Sequence, residues 1–344
     1  MNTVIIEDFD FVYSHTKSSW DKLQHKTILI TGATGFFGKC ILQNFICANK
    51  EKELKVHIIA LSRDPQKFIN QYPEFNNQYI TWIKGDVKNF KFPSQTIDFI
   101  IHAATDVNLH LITNEPLNIY ENIVDGTKHV LELARQKNIS SVLYISSGAV
   151  YGKQPHTISH ITEEYKGATN VYDKDASYGE GKRVAEMLCN IYNKQHHVDV
   201  KIARCYSFIG PYLPLDGHFA IGNFINDILS NRQIKIQGDG SPQRAYLYTA
   251  DLMIWLLKIL TEGKSCYPYN VGSDETIDLK SLANMINQYS TTNLGIEIKQ
   301  TKTSAPPAMY VPSIERAKNE LGLNVFTNLK DAVEKTIKFN SVTK

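Results

Sequence analysis

Paired cysteines are missing from this chain. Its five, Cys40, Cys47, Cys189, Cys205 and Cys266, are an odd number, and no two fall in a Cys-x-x-Cys spacing. That weighs against a disulfide framework and against a zinc knuckle, so a reducing, cytoplasmic setting and no metal are expected. An excess of charge is missing too. Lys and Arg number 37 against 35 Asp and Glu, leaving no net field to draw the molecule to nucleic acid or anionic lipid. No apolar run approaches the roughly 18 residues of a membrane span. The opening residues carry Glu7, Asp8 and Asp10 where a signal peptide is basic and then apolar. A chain neither secreted nor membrane-spanning is expected. Repeats and biased linkers are also absent. The 344 residues, 42% hydrophobic and 21% charged, exclude general disorder and leave room for about two domains.

From Thr27 to about Cys205, short Ile/Val/Leu runs alternate with longer amphipathic stretches, the rhythm of βαβ units around a parallel sheet buried on both faces. The predicted strands are Thr27–Thr31, Val56–Leu61, Tyr79–Lys84, Asp98–His102, Ser141–Ser146 and Val198–Arg204. Helices are predicted at Phe36–Ala48, Pro116–Lys137 and Tyr178–Lys194. Six such strands imply an α/β, Rossmann-like doubly wound sheet over residues 27–206. Residues 207–344 turn to Gly- and Pro-punctuated loops around shorter helices, at Phe219–Leu229, Thr249–Leu260, Leu279–Gln288 and Leu329–Phe339. They read mostly as a smaller substrate-binding domain, with the chain free to cross between the two. Residues 1–26 read as a structural arm, Trp20 and Leu23 packing a short helix against the sheet edge.

Directly after the first strand comes Thr31-Gly32-Ala33-Thr34-Gly35-Phe36-Phe37-Gly38. Glycines spaced this way permit a tight turn, let a pyrophosphate approach the backbone and bring the next helix close to the sheet. The helix N-terminus adds N–H groups and a positive dipole. Gly32, Gly35 and Gly38 are therefore candidates for a dinucleotide site. At the end of the second strand, Ser62 and Arg63 offer a hydroxyl and a guanidinium suited to the 2′-phosphate of NADP. Asp64, one step on, is the alternative ribose acid of an NAD site. Asp86, in Gly85-Asp86-Val87, is placed either to accept from an adenine amino group or to cap the turn.

A Tyr-x-x-x-Lys pair puts an ammonium beside a phenol on one helix face. Two occur, Tyr13/Lys17 and Tyr178/Lys182. The first lies ahead of the whole sheet and reads as structural. The second opens the helix after the strand that ends Ser146-Ser147-Gly148-Ala149, at the carboxyl edge where ligands bind in open α/β sheets. A tyrosine near its ordinary pKa of about 10 is a poor base at neutral pH, and a neighbouring ammonium together with the positive nicotinamide ring is expected to lower it by a few units. Tyr178 is then the general acid/base, Ser147 holds the substrate oxygen, and Lys182 depresses the phenol and grips a ribose.

Together these residues resemble the extended short-chain dehydrogenase/reductase family, also grouped as NAD-dependent epimerase/dehydratase. The resemblance covers about Thr27 to Phe339. It includes His102-Ala103-Ala104, Asn122 in Glu121-Asn122-Ile123-Val124-Asp125-Gly126-Thr127, Gly210-Pro211, and Gly238-Asp239-Gly240 followed by Arg244 and Asp251. It implies a catalytic trio of Ser147, Tyr178 and Lys182. It implies NAD(P), with NADP preferred, against the glycine turn with Thr34, Phe36 and Phe37, against Ser62, Arg63, Asp86 and Val87, and against Ala103, Ala104, Thr105, Asn122, Tyr178 and Lys182. It implies a nucleoside-diphosphate sugar held by Thr105, Ser147, Gly148, Ser207, Asn223 and Arg244, with Arg244 on the diphosphate. A homodimer through the Pro116–Lys137 and Tyr178–Lys194 helices is implied as well. Ser207 stands where the family usually has Asn.

Dehydratases resembling this chain carry acids after the hydroxyl that matches Ser147, and decarboxylases keep a Glu. Here the positions are Gly148 and Ala149, which move no proton. The expected reaction is therefore 4-epimerisation or 4-keto-sugar reduction, with hydride transferred at C4. Dehydration or decarboxylation needs relocated acid/base residues, for example Asp106, and the Tyr178–Arg183 segment itself resembles the decarboxylases. Glu180 reads as a solvated surface residue. Cys205 and His218 read as a core thiol and a loop histidine before they read as an epimerising pair. A non-catalytic NADP redox sensor is the reading from another class.

Overall fold

The computed structural model describes residues 2–105, 109–217, 219–292, 294–301 and 306–342. Two helices come first, α1 (Thr3–His15) and α2 (Lys17–Leu23), before strand β1 (Thr27–Thr31), helix α3 (Phe36–Lys52), β2 (His57–Ser62), α4 (Pro65–Gln71), β3 (Ile80–Lys84) and β4 (Phe99–His102). Then follow α5 (Leu109–Asn114), α6 (Pro116–Lys137), β5 (Ser141–Ser147), α7 (Ala176–His196) and β6 (Val200–Cys205). The remainder comprises β7 (Ser207–Ile209), α8 (Ala220–Leu229), β8 (Ile234–Ile236), β9 (Gln243–Arg244), β10 (Tyr246–Tyr248), α9 (Thr249–Glu262), β11 (Pro268–Val271), β12 (Ile277–Asp278), α10 (Leu279–Asn287), β13 (Ile296–Ile298), β14 (Met309–Tyr310), α11 (Glu315–Leu321) and α12 (Leu329–Val342).

Seven of these strands form one parallel sheet in the order β11-β6-β5-β4-β1-β2-β3. Helices on both faces explain why its strands read as unbroken apolar runs. The expected Rossmann-like doubly wound architecture is present, with one strand more than the six predicted. β11 starts at Pro268, which donates no ladder hydrogen bond and suits an edge. Its partner β6 lies more than sixty positions earlier, with Tyr269 paired to Ala203, so the chain leaves the sheet after β6 and returns to close it.

One apolar cluster lies on the α3/α9 face, where Trp255, Leu256, Phe45 and Ile41 are buried. A second lies on the α6/α7 face around Leu131, Tyr144 and Ala185. The N-terminal arm differs from expectation. It packs on the helical layer rather than the sheet edge: α1 meets α3 and α9, α2 meets α9, and the Trp20 ring stands edge-on to Phe45. Buried Asp8 fixes the arm, accepting from the Tyr248 hydroxyl at 2.6 Å and from Lys335 Nζ at 2.8 Å. Tyr13 stacks by Phe9 under Lys52, far from the carboxyl ends of the strands. Among the described residues no helix is long and apolar enough to cross a membrane, and the five cysteines are free thiols.

Candidate active site

Three features converge at the carboxyl ends of β1, β4 and β5. The first is the glycine turn. Gly32 has φ +71°, and a Cβ there would lie 2.4 Å from the Ala103 carbonyl oxygen, so only glycine fits this crossing. A Cβ at Gly38 would meet the Gly32 oxygen at 2.3 Å, which seats α3 tight against the turn. Gly35 caps α3 with no side-chain hydrogen bond, leaving the first-turn N–H groups to a ligand. This cradle fits a dinucleotide diphosphate, and Thr34 lies in the same turn. Phe36 and Phe37 turn into the apolar core, Phe37 edge-on to Phe208 at 5.0 Å, so only their backbones are available to a phosphate.

At the end of β2, Ser62 is buried and its hydroxyl accepts from the Asp64 N–H at 3.2 Å. Asp64 caps α4, taking the Lys67 N–H at 3.1 Å, while Arg63 is exposed. Asp86 takes the Lys88 N–H at 3.0 Å, the capping geometry weighed above, and Val87 packs over Gly126. At β4, buried His102 bridges Thr31 (2.7 Å) and Thr127 (3.0 Å). Desolvation pushes its imidazole down to about 3, so it is a neutral strut for the Ala103–Ala104 turn, whose Ala104 N–H donates to Thr31 Oγ1. Asn122, on α6, donates to Asn118 at 3.1 Å.

The second feature is the cluster of Ser147, Tyr178 and Lys182. Ser147 ends β5, and its Oγ accepts the Ala149 N–H at 3.2 Å. Tyr178 opens α7 and hydrogen-bonds Ser147. Lys182 is buried one turn on and donates to Thr105 Oγ1 at 2.8 Å and to the Ile145 carbonyl at 2.7 Å, 5.0 Å from the Tyr144 ring centroid. The structure thus brings Ser147 and Tyr178 together with Lys182 and Thr105 beside them. Burial pushes the Tyr178 phenol up to about 12, and the Ser147 hydrogen bond only partly offsets this. Desolvation pushes the Lys182 ammonium down to about 8. The lysine donates to Thr105 and Ile145, and burial dominates the phenol.

The third feature was not foreseen. The phenol of Tyr310, on β14, stands 3.5 Å from Ser147 Oγ and pairs in parallel register with Arg244 of β9. Its ring lies 4.6 Å from that of Tyr206. A Cβ at Gly148 would meet Tyr206 Cζ and the Tyr310 hydroxyl, each at 2.7 Å. Gly148 is therefore the space into which two phenols fit. A two-residue strand 163 positions from Ser147 carries no periodic signal from which sequence reasoning could have placed it. Ser207 opens β7 opposite Tyr246, Asn223 lies in the first turn of α8, and Arg244 Nη1 donates to the Gln243 carbonyl at 2.8 Å.

Other candidates resolve simply. Glu180 is half-buried and pairs with Arg183 at 3.5 Å rather than standing in solvent. Burial drives the Cys205 thiol far above its ordinary value, as for a core residue. Asp106 and His218 lie outside the described residues.

An open α/β sheet with a glycine cradle and a Ser/Tyr/Lys cluster at its carboxyl edge defines a dinucleotide-binding scaffold. The model of the NAD dependent epimerase/dehydratase family matches residues 28–272, and the chain belongs to that family. It is 28% identical to UDP-glucuronic acid decarboxylase 6 of Arabidopsis thaliana over 89% of this chain and 86% of the relative. It is also 28% identical to UDP-glucuronic acid decarboxylase 1 of Xenopus tropicalis over 91% and 72%. Among solved structures it is similar in fold to the UDP-glucose 4-epimerase of Thermotoga maritima with UDP-glucose, at TM-score 0.79 and 18% identity, covering 92% of this chain and 99% of that one. The dTDP-glucose 4,6-dehydratase of Bacillus anthracis in complex with NAD gives TM-score 0.76 and 20% identity, covering 93% and 97%.

Proposed function

We propose that this protein oxidises C4 of a nucleoside-diphosphate hexuronic acid with NAD(P) and that the 4-keto acid then loses CO2. The observation that carries the reading is the Tyr178 phenol joined to the Ser147 hydroxyl with Lys182 one turn away. Ser147 holds the C4 oxygen and Tyr178 moves its proton. Base strength in a phenol held near 12 requires a cation against it, and Lys182 supplies one on turning from Thr105. A nicotinamide held at this edge would supply a reversible hydride acceptor for C4. Gly32, Thr34, Gly35 and Gly38, with the backbones of Phe36 and Phe37, hold the diphosphate. Ala103, Ala104, Thr105 and Asn122 line the next stretch, and Asp86 and Val87 flank the adenine. Arg244, Ser207 and Asn223 face the nucleotide sugar. We assign NADP as the preferred form, since Asp64 is committed to its helix cap while Ser62 and Arg63 stand at the ribose.

Decarboxylation is favoured by the curated relatives, which are named UDP-glucuronic acid decarboxylases. It is also favoured by chemistry. A C4 ketone places the C6 carboxylate β to a carbonyl, so CO2 departs with no base to strip C5. Gly148 and Ala149 therefore disfavour 4,6-dehydration, which needs such a base, more strongly than decarboxylation. A second reading, 4-epimerase or 4-keto-sugar reductase, is favoured by those same carboxylate-free positions.

Incubating the protein with NAD or NADP and UDP-glucuronic acid or UDP-glucose decides between them. Release of CO2 with a nucleotide pentose is the expected result. A six-carbon product inverted at C4, or consumption of NADPH on addition of a nucleotide-linked 4-keto sugar, supports the second reading. No turnover with any nucleotide sugar overturns both and leaves a redox-sensing protein.

A further inference from the structure

We propose that Tyr310 is a second proton-bearing group of this site, delivering the proton to C5 after the carboxylate has left. The inference rests on the decarboxylase reading. Loss of CO2 breaks the C5–C6 bond, and its electron pair passes into the C4 carbonyl to give an enolate. That enolate takes a proton at C5 and becomes a ketone again before C4 is reduced. The site therefore needs a proton donor at C5 and has no use for a base at that carbon.

The residues around Ser147 match that need. Positions 148 and 149 are Gly and Ala, and the space a side chain at 148 would take is filled by the Tyr206 ring and the Tyr310 hydroxyl. With the C4 oxygen on Ser147, a hydroxyl 3.5 Å from that serine is within about one hydrogen-bond reach of the atoms flanking C4. Burial holds the Tyr310 phenol protonated through the neutral range, the form a donor requires. Tyr206 is the rival, but its buried hydroxyl has no partner and so no route by which a lost proton returns. Tyr310 has a partner, the Ser147 hydroxyl 3.5 Å away.

The seat of Tyr310 is rigid, as a donor demands. The Val311 N–H donates to Gln154 Oε1 at 2.8 Å, and the Val311 carbonyl accepts from the Ile161 N–H at 3.1 Å. Pairing with Arg244 fixes the register.

The test compares wild type, Tyr310→Phe and Tyr206→Phe, each loaded with NAD or NADP and given UDP-glucuronic acid in heavy water. Three signals are followed: nicotinamide absorbance, CO2, and the face of C5 that receives deuterium. The expected wild-type product carries deuterium on one face. In Tyr310→Phe, nicotinamide reduction and CO2 release continue, final product forms about 10²-fold more slowly, and deuterium appears on both faces. Single-face deuteration in Tyr310→Phe overturns the proposal, as does scrambling confined to Tyr206→Phe. Equal loss of nicotinamide reduction and product in Tyr310→Phe shows a merely structural tyrosine and also overturns it. Wild-type protein that reduces the nicotinamide without releasing CO2 overturns the decarboxylase reading, and the C5 donor falls with it.

Discussion

The Lys182 ammonium donates to the Thr105 hydroxyl at 2.8 Å, joining helix α7 to the turn after β4. The helix that carries Tyr178 is thereby tied by one buried cation to the turn whose Ala103 carbonyl abuts Gly32. Desolvation brings that cation's pKa down to about 8, which places its loss of charge inside the working range of an enzyme.

The pH dependence follows from that value. Below about 8 Lys182 is charged and assists Tyr178; above it the charge is lost, while the phenol, near 12, still holds its proton. Turnover is expected to fall as pH rises through about 8, and Lys182→Met is expected to show no such limb at its lower rate. A pH-rate profile of both proteins checks this.

Tyr178→Phe removes the proton carrier and keeps the ring. Turnover is expected to drop by about 10²-fold or more, with cofactor affinity nearly unchanged. Steady-state rates paired with calorimetric titration measure the two; an undiminished rate removes Tyr178 from its role.

Arg63→Ala is expected to weaken NADP about tenfold, the scale of a charge-assisted phosphate contact, and to leave NAD almost unaffected. Dissociation constants for both cofactors read the difference. Equal effects place the ribose recognition elsewhere.

We propose a homodimer through α6 and α7, where Leu117, Met187 and Ile191 are 68%, 54% and 37% exposed. Exposed apolar side chains on two packed helices mark an association face. A Met187→Glu/Ile191→Glu double variant is expected to sediment as a monomer where the unaltered chain sediments as a dimer.

Much of the scaffold was legible because its signals are local. The β1 run, the glycine turn and the start of α3 are continuous in sequence, and each glycine answers a contact only a few bonds or one strand away. Ser147 ends an unbroken apolar strand, and Tyr178 and Lys182 are related by helical spacing alone. The sequence also showed that no carboxylate follows Ser147. What those side chains face was not legible. The Tyr-x-x-x-Lys spacing says that an ammonium lies one turn from a phenol, but burial and the Thr105 and Ile145 oxygens decide where its protons go.

The chain by itself determined the βαβ order, the glycine turn and the placing of Ser147 and Tyr178 at a strand end and a helix start, since these depend on neighbours in sequence. Tertiary structure decided that β11 returns to the sheet, that the N-terminal helices lie on α3 and α9, and that Tyr206 and Tyr310 converge on Gly148. Strands of two to four residues carry no periodicity. Their partners are set by the packing of the whole chain, in which a space left by one glycine is claimed by rings from two distant segments.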